Sequence, residues 1–306
     1  MITTPKPLAT MEKLIDKWRK KPKDEAIRKE ITQFLEDPDY QNMGTGGENY
    51  ILRNRPFLTA HKLKCFKENP FFAYLAYEKE EVMDFEEPEA FVIGQAVDDY
   101  LTHGKKSFED KYEIVSRRKD ESEKIQLTNG QGKTVLNAAA EYETRHFFPK
   151  KPVKQNIVFL LLGKIPCKIE LDHLEFGSHF GDVKTTANIE TFDPLKWEYD
   201  FLMSFYYSGI LELYNEKLPG HLYVLDKNAS QCRSDCFVFR VETLSAWQPR
   251  ILELIKEYVQ CQVSGIWPFR LDLNSSKEDR VKFFRSQFYS HPLCQPFKNR
   301  MEPIYL

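Results

Sequence analysis

Three charged residues near the middle of the chain, Asp172, Asp182 and Lys184, have the types and spacing needed for metal-dependent chemistry. They lie in two β-rich runs, CKIELDHLEF at 167–176 and HFGDVKTTA at 179–187. If these runs pair as a hairpin, Asp172 and Asp182 lie across from one another. Two carboxylates so close repel each other unless a cation neutralises them, and Mg²⁺ prefers oxygen ligands of this kind. The sequence therefore predicts a shared ion at this hairpin.

The alternation of side chains along a strand places Asp182 and Lys184 on one face and Val183 on the other. Beside a bound ion, Lys184 could stabilise negative charge on a phosphate or orient an attacking water. In the preceding run, Glu170 shares a face with Asp172 and is a reserve ligand. The ordinary alternative is a cross-strand salt bridge on a solvated face, which is what most Asp-x-Lys pairs form.

The hairpin needs a sheet and helices to hold it. Three β-rich runs at 156–164, 167–176 and 179–187 predict an antiparallel meander. The remaining pattern predicts a long helix from Pro194 to 214, strands at 220–227 and 235–242, and helices at 244–260 and 277–288. Together these elements predict an α/β fold with a central mixed sheet flanked by helices.

The residues before the sheet predict mostly helices. Residues 10–37 predict two short amphipathic helices broken at Pro22, and Pro70 separates two further helices. A helix at 90–103 contains Gly94 and Ala96, which allow close packing against a neighbour. The hydrophilic residues 104–133 predict exposed loop and edge structure before a helix at 134–146. We expect an N-terminal helical extension and linker at 1–50, a main domain at 51–290 and a tail at 291–306.

The composition excludes several classes of protein. With 306 residues, 44 basic against 46 acidic side chains and a net charge of −2, any nucleic-acid surface must be a local patch. No stretch has the roughly 18 apolar residues of a membrane span, and the N-terminus lacks the apolar core of a signal peptide. We therefore expect a soluble, cytoplasmic protein. The six cysteines form no C-x-x-C pair and predict free, mostly buried thiols instead of a zinc or cluster site.

Four segments within residues 57–245 resemble the PD-(D/E)XK nuclease superfamily, in particular its RecB-like and RecE-like branch, which includes lambda-type exonucleases. The signature strand pair of that branch is similar to ELDHLEF and GDVKTT. The segment FVIGQAVDDYL resembles its Gly-x-Ala-hydrophobic-His helix, and FLTAHKLKCFKENP its first core helix. YDFLMSFYYSGI resembles its Tyr-x-x-Gln-x-x-x-Tyr helix through Tyr199 and Tyr206.

The resemblance implies a set of site residues in this chain, with two departures from the family's pattern. Asp98 stands where the family usually has His, and Leu202 stands where it usually has Gln. A carboxylate can also bind Mg²⁺, so Asp98 is an expected ligand, and its neighbour Asp99 competes for that role. The other implied ligands are Asp172, Asp182 and the Val183 carbonyl, and the implied catalytic lysine is Lys184.

The resemblance also implies an activity and partners. It implies a Mg²⁺-dependent deoxyribonuclease, with Mn²⁺ as a substitute and without an iron–sulfur cluster, whose domain occupies residues 51–290. The RecE-like exonucleases implied here act in bacterial or phage-type recombination and repair on duplex ends or single strands. They form ring-shaped homo-oligomers beside a single-strand annealing protein. Two alternatives remain open: a structure-specific or single-strand endonuclease, and a non-catalytic DNA-binding module.

Basic and aromatic side chains suggest where DNA would lie. The candidates for phosphate contact form two groups in the sequence: Arg53, Arg55, Lys62 and Lys64, and then Arg117 and Arg118. Tyr206 is a candidate for stacking on a base. Solvated faces explain such basic runs equally well, and an aromatic stripe on a helix beside a sheet is more often core. We expect His173 and His179 to be structural.

Overall fold

The structure is a computed structural model, and it describes residues 6–41, 53–78, 89–117, 122, 124–146, 148–150, 155–227 and 232–268. These residues form two compact units. The first comprises the described parts of 1–61 and 86–252, and the second those of 62–85 and 253–306. The domain bounds at 50 and 290 stay a prediction, because both positions lie outside the described ranges. No helix in the described ranges is long and apolar enough to cross a bilayer.

The N-terminal helices confirm the sequence pattern closely. Helix α1 spans Lys6–Lys20 and α2 spans Glu25–Leu35, with the break around Pro22 as predicted. The Asp24 side chain accepts hydrogen bonds from the backbone N–H groups of Ala26 and Ile27, which fixes the start of α2. A short helix α3 follows at Pro38–Gln41.

The second unit contains the two helices predicted around Pro70. They are α4 at Ala60–Glu68, whose first two residues belong to the first unit, and α5 at Pro70–Tyr77. Asn69 caps α5 by accepting a hydrogen bond from the Phe71 N–H, and Pro70 occupies the first helical position, where its missing N–H costs nothing.

The rest of the first unit alternates helices with short strands. Its elements in chain order are α6 (Glu89–Lys111), β1 (Tyr112–Val115), β2 (Ile125–Thr128), α7 (Asn129–Thr144), β3 (Gln155–Leu161), β4 (Ile165–Leu171), β5 (His173–Glu175), β6 (His179–Thr186), α8 (Tyr199–Tyr214), β7 (Gly220–Asp226), β8 (Ser234–Phe239), α9 (Val241–Ala246) and α10 (Gln248–Ser264), the last of which continues into the second unit.

The strands form a mixed set, as expected for the predicted α/β fold. Strands β5, β6, β7 and β8 form one sheet in that order, with a parallel β6–β7 pair between two antiparallel pairs. Strands β3 and β4 pair antiparallel, and β1 and β2 pair parallel. The parallel β6–β7 pair requires a crossover, and α8 supplies it.

Helices cover both faces of the β3–β4 pair. Val158 and Leu160 pack into a buried cluster with the apolar residues of α1 and α2, including Trp18 and Ile31. The opposite face meets α8, where the Phe159 and Phe205 rings lie 6.0 Å apart between centroids. A second buried cluster joins α6 and α7 to β7 through residues such as Val97, Ala138 and Tyr223.

Three differences from the sequence pattern have local causes. Residues 104–133 are not only loop and edge, because α6 continues past a kink at Gly104 (φ 81°) and β1 pairs with β2. The TNGQGK segment starts α7 early, since Thr128 and Gln131 form a reciprocal capping box. Helix α8 begins at Tyr199 and not at Pro194, because Glu198 is left-handed (φ 57°). The helix predicted at 277–288 lies outside the described residues.

The close approach of α8 to β3 and β4 gives a stability prediction. A Cβ at Gly209 would lie 2.7 Å from Phe159 Cε1 and 2.9 Å from Ile169 Cδ1, and both side chains are buried. We expect Gly209→Ala to lower the free energy of unfolding by about 1–3 kcal/mol, measured by urea denaturation, because the added methyl overpacks this contact.

The matched control is Gly130→Ala, which is also helical but whose nearest neighbour would be 4.0 Å away. It should leave the stability unchanged or raise it by up to about 1 kcal/mol through helix propensity. Equal effects of the two substitutions would contradict the packing argument.

Candidate metal-dependent active site

Asp172 interrupts the strand that was predicted to run through it. Strand β4 ends at Leu171 and β5 begins at His173, so the predicted run 167–176 is split at this residue. The Asp172 backbone N–H donates to the Gly181 carbonyl at 3.1 Å, and its carboxylate Oδ2 accepts the Val183 N–H at 2.7 Å. A side-chain oxygen thus occupies the place that a strand carbonyl would otherwise take, which fixes the buried carboxylate beside the D-x-K segment.

Asp182 and Lys184 confirm the predicted alternation along β6. The Lys184 Nζ lies 2.7 Å from Asp182 Oδ2, so the two side chains share a face, while Val183 packs against the cluster of α6 and α7. Asp182 is almost fully buried, and the Lys184 side chain retains 29% exposure. The Lys184 ammonium is therefore bound to Asp182, and part of the lysine side chain is exposed to solvent.

Two tyrosines of α8 face this pair. Burial of the ammonium opposes its charge, but Asp182, Tyr206 and Asp172 together outweigh that effect and raise the pKa of Lys184 well above its ordinary value. Burial, opposed by Lys184 and reinforced by Asp182, raises the pKa of Tyr199. Lys184 is therefore firmly cationic at neutral pH, and the Tyr199 hydroxyl is neutral. Tyr199 was known from the sequence only as a motif position.

Asp98 lies on the face of α6 that approaches β6. A Cβ at Gly94 would lie 3.0 Å from the Thr185 side chain, and Asp98 follows one helical turn later on the same face. Its carboxylate accepts a hydrogen bond from Thr102 at 3.4 Å. Asp99 is engaged differently, because the Lys111 ammonium and the Tyr112 hydroxyl each lie 2.6 Å from its Oδ2.

The donor set of this site fits a hard divalent cation. Asp172 and Asp182 are both at least 94% buried, and Lys184 is the one cation that the structure pairs with Asp182 among the described residues. Burying carboxylates is costly unless they are paired with cations or hydrogen-bonded. Oxygen ligands of this type suit Mg²⁺ or Mn²⁺. Glu170 is the next-to-last residue of β4, where it pairs with Asn156, and it remains a reserve candidate for a metal ligand.

Two of the predicted DNA contacts do not fit their surroundings. Lys62 is buried, with its ammonium 2.8 Å from Glu78 and near the Tyr77 and Tyr258 rings, so it serves the interior of its unit. Tyr206 is also buried and cannot offer its ring to a base in this arrangement. Arg117 is exposed, Arg53, Arg55 and Lys64 are half-buried, and these four stay predictions. Arg118 lies outside the described residues.

Sequence reasoning missed Tyr142, which α7 brings close to Asp172. Its ring is buried, its hydroxyl has no hydrogen-bond partner among the described residues, and burial together with Asp172 raises its pKa. Nothing in the local sequence marks this tyrosine, because its position depends on how α7 packs on the sheet.

The sequence argument also treated His173 and His179 as unrelated structural residues. Their rings lie 4.8 Å apart, and His221 of β7 stacks on His179 at 4.0 Å. Burial, reinforced by His179 and His173, lowers the pKa of His221 to about 4, and burial also lowers the pKa of His173 and of His179. The three imidazoles are therefore neutral at pH 7. Each ring then has one nitrogen that donates a hydrogen bond and one that accepts.

Comparison with known proteins supports the fold and the superfamily. A family model described as "PDDEXK-like domain of unknown function (DUF3799)" matches residues 60–275. No curated protein matches the chain. A crystal structure of a protein from Eubacterium rectale, described as "Putative exonuclease", is similar with a TM-score of 0.59 and 18% identity, covering 76% of this chain and 91% of that one. The expected membership in the PD-(D/E)XK superfamily is confirmed, and the fold with it.

The donor set predicts a metal-dependent gain in stability. We expect Mg²⁺ to raise the thermal midpoint relative to the protein in chelator, because an ion that binds only the folded state stabilises it by about 2.7 kcal/mol at 100 times its dissociation constant. Asp182→Asn should abolish most of this shift in differential scanning fluorimetry.

Glu190→Gln is the matched control, since Glu190 is an exposed carboxylate of β6's following loop that pairs with Arg233. It should keep the full shift. An Asp182→Asn protein that gains as much stability from Mg²⁺ as the unaltered chain would contradict the site.

Proposed function

We propose that this chain, which belongs to the family of PDDEXK-like domains, hydrolyses phosphodiester bonds of DNA with a divalent metal ion. The observation that carries the proposal is the Asp172 carboxylate held 2.7 Å from the Val183 N–H, next to the Asp182–Lys184 pair. This arrangement brings two buried acids and a partly exposed lysine together in one place, although each acid alone would be costly to bury. Such a centre is chemically suited to polyanionic substrates only when a cation offsets the acids.

The residues that would hold the ion are Asp172, Asp182, the Val183 carbonyl and Asp98. When bound, a divalent ion supplies Lewis-acid stabilisation of a phosphoryl oxygen and lowers the pKa of a water. The chain itself contributes the placement of the ligands. Asp172 is positioned by two backbone contacts to β6, whereas Asp98 lies on α6, which packs against the Val183 and Thr185 face of that strand.

Lys184 has the properties of a charge stabiliser and not of a base. Its nearby acids raise its pKa well above the ordinary value, so its Nζ keeps all three protons at neutral pH. Part of the side chain is exposed, so the lysine borders the solvent from which a phosphate would approach. Hydrogen bonds from such a preorganised cation are worth most where charge develops in the transition state.

Tyr199 and Tyr206 lie near the Asp182–Lys184 pair on the side of α8. Both lie on α8, and both influence the charges of Asp182 or Lys184. Side chains this near the pair lower the local dielectric and strengthen the interaction of Lys184 with Asp182. Tyr206 therefore acts in this proposal by shaping the site, and not by stacking on a base.

Within this function, the favoured activity is that of a RecE-like exonuclease in recombination or repair. It is supported by the Gly-x-Ala-hydrophobic-acid helix, the D-V-K-T-T strand and the exonuclease description of the similar crystal structure. A structure-specific endonuclease would use the same centre. A DNA-binding module that has lost catalysis is the rival from another class.

Linear and circular duplex DNA separate these functions. With Mg²⁺, an exonuclease degrades only linear DNA, an endonuclease cuts both, and a binding module cuts neither; chelator should stop all cleavage. We expect degradation of the linear substrate, followed by release of acid-soluble nucleotides. Lys184→Ala should lower the rate by at least about 100-fold, because it removes a preorganised cation from the reacting phosphate.

The control for this experiment is Lys196→Ala, which removes an exposed lysine from the loop before α8. It should cleave like the unaltered protein. Full activity of the Lys184→Ala protein, with its fold confirmed by circular dichroism, would refute the proposed role of the lysine.

The neighbouring acids of α6 give a second test of the centre. Asp98→Asn should weaken Mg²⁺ dependence, seen as a rise of at least about tenfold in the Mg²⁺ concentration for half-maximal cleavage, because a ligand is lost. Asp99→Asn should leave that concentration unchanged and lower thermal stability, since it removes the partner of Lys111 and Tyr112. The reverse result would assign the ligand to Asp99.

A further inference from the structure

A second group of metal-ligating side chains lies at the β5–β6 hairpin. His173 Nε2, Glu175 Oε2 and His179 Nδ1 all lie within 4.8 Å of one another. Glu175 Oε2 is 3.8 Å from His173 Nε2 and 3.9 Å from His179 Nδ1, so the carboxylate sits between the two imidazoles. These residues come from both strands of the hairpin, because Glu175 pairs with His179 in the antiparallel register.

The spacing is close to that of a tetrahedral zinc site. Bonds of about 2.0–2.2 Å to nitrogen and oxygen require ligand atoms about 3.4 Å apart at tetrahedral angles. Two of the three separations exceed this by about half an ångström, which small side-chain rotations can close. Glu175 is 61% exposed and free to move, whereas His173 and His179 retain only 20% and 16% exposure.

A buried hydroxyl orients the central imidazole. His179 Nε2 lies 2.8 Å from the Tyr223 hydroxyl, which lies 3.4 Å from His221 Nδ1. With a proton on Nε2, His179 donates to Tyr223, Tyr223 donates to His221, and the Nδ1 lone pair points toward Glu175. Partners that fix the second ring nitrogen in this way are typical of metal-bound histidines.

Gly181, which pairs with His173, leaves room for the Tyr223 ring. A Cβ at Gly181 would lie 2.5 Å from Tyr223 Cε2, so a larger residue would displace the tyrosine. Ser178 Oγ lies 2.8 Å from His179 Nδ1 and is the polar contact that an ion would replace.

We propose that His173, Glu175 and His179 form a second metal site, selective for Zn²⁺ or a similar transition-metal ion, that ties the two strands of the hairpin together. Two imidazoles and one carboxylate match the borderline-soft character of Zn²⁺, whereas Mg²⁺ prefers an all-oxygen set. The ion would lie on the hairpin that carries Asp172 at its start and Asp182 beyond its turn. The ion would hold β5 and β6 in position, and this proposal does not depend on the proposed nuclease activity.

The test uses the full chain stripped of metal and titrated with Zn²⁺ in excess Mg²⁺, with stoichiometry and affinity followed by calorimetry. Co²⁺ supplies a second readout through the visible absorption of a tetrahedral complex. We expect one Zn²⁺ per chain to bind without competition from Mg²⁺, and to raise the thermal midpoint. His179→Gln and Glu175→Gln should each weaken Zn²⁺ binding by more than about 100-fold, since outer partners alone are worth about 10–100-fold.

Three further variants complete the design. Tyr223→Phe should weaken binding by about 10–100-fold through loss of the orienting hydroxyl. Two control variants should retain Zn²⁺ binding. They are His103→Gln, at an exposed histidine of α6, and Asp182→Asn. Glu175 is exposed, so its variant keeps the proposal testable if His179→Gln does not fold. Absence of stoichiometric Zn²⁺ binding, or its retention in Glu175→Gln together with loss in Asp182→Asn, would overturn the second site.

Discussion

The contact that the rest of the structure depends on is the one between the Asp172 carboxylate and the Val183 N–H, at 2.7 Å. It ends one strand and starts the next, and it brings a buried acid to the backbone of the segment that carries Asp182 and Lys184. The cost of removing this carboxylate from water is offset in part by its charge-assisted hydrogen bond. The same bond replaces a ladder contact that the split strand would otherwise lose. Strand geometry and electrostatics are therefore satisfied by a single group.

Two helices of the first unit, α6 and α8, approach the strands around Asp182 and Lys184. Helix α8 brings Tyr199 and Tyr206 near Lys184, and α6 meets β6 at Thr185. A glycine lies at each contact: Gly209 of α8 faces Phe159 and Ile169 of β3 and β4, and Gly94 of α6 faces Thr185 of β6. The charged residues are thus held between rigid elements, and small side chains set the distances.

Much of this could be predicted from the sequence, and what could not depended on tertiary packing. The D-V-K alternation and the helices around Pro22 and Pro70 follow from local periodicity, which reports faces and breaks directly. The split at Asp172 could not be predicted, since the run 167–176 has an unbroken strand pattern and only a contact from another strand interrupts it. The buried state of Lys62 was missed for the same reason: a basic residue in a helix looks solvated until its partner Glu78 is known.

The hairpin between the two aspartates has a turn at Gly177, where φ is 74°. The meeting of the acids is fixed where the hairpin begins, at Asp172 and Val183, and the tip lies at the other end. Residues could therefore be added to or removed from that tip without moving either carboxylate. The number of residues between Asp172 and Asp182 is consequently a poor guide to whether two proteins are related. Proteins with the same fold can differ in this number and keep the same chemistry.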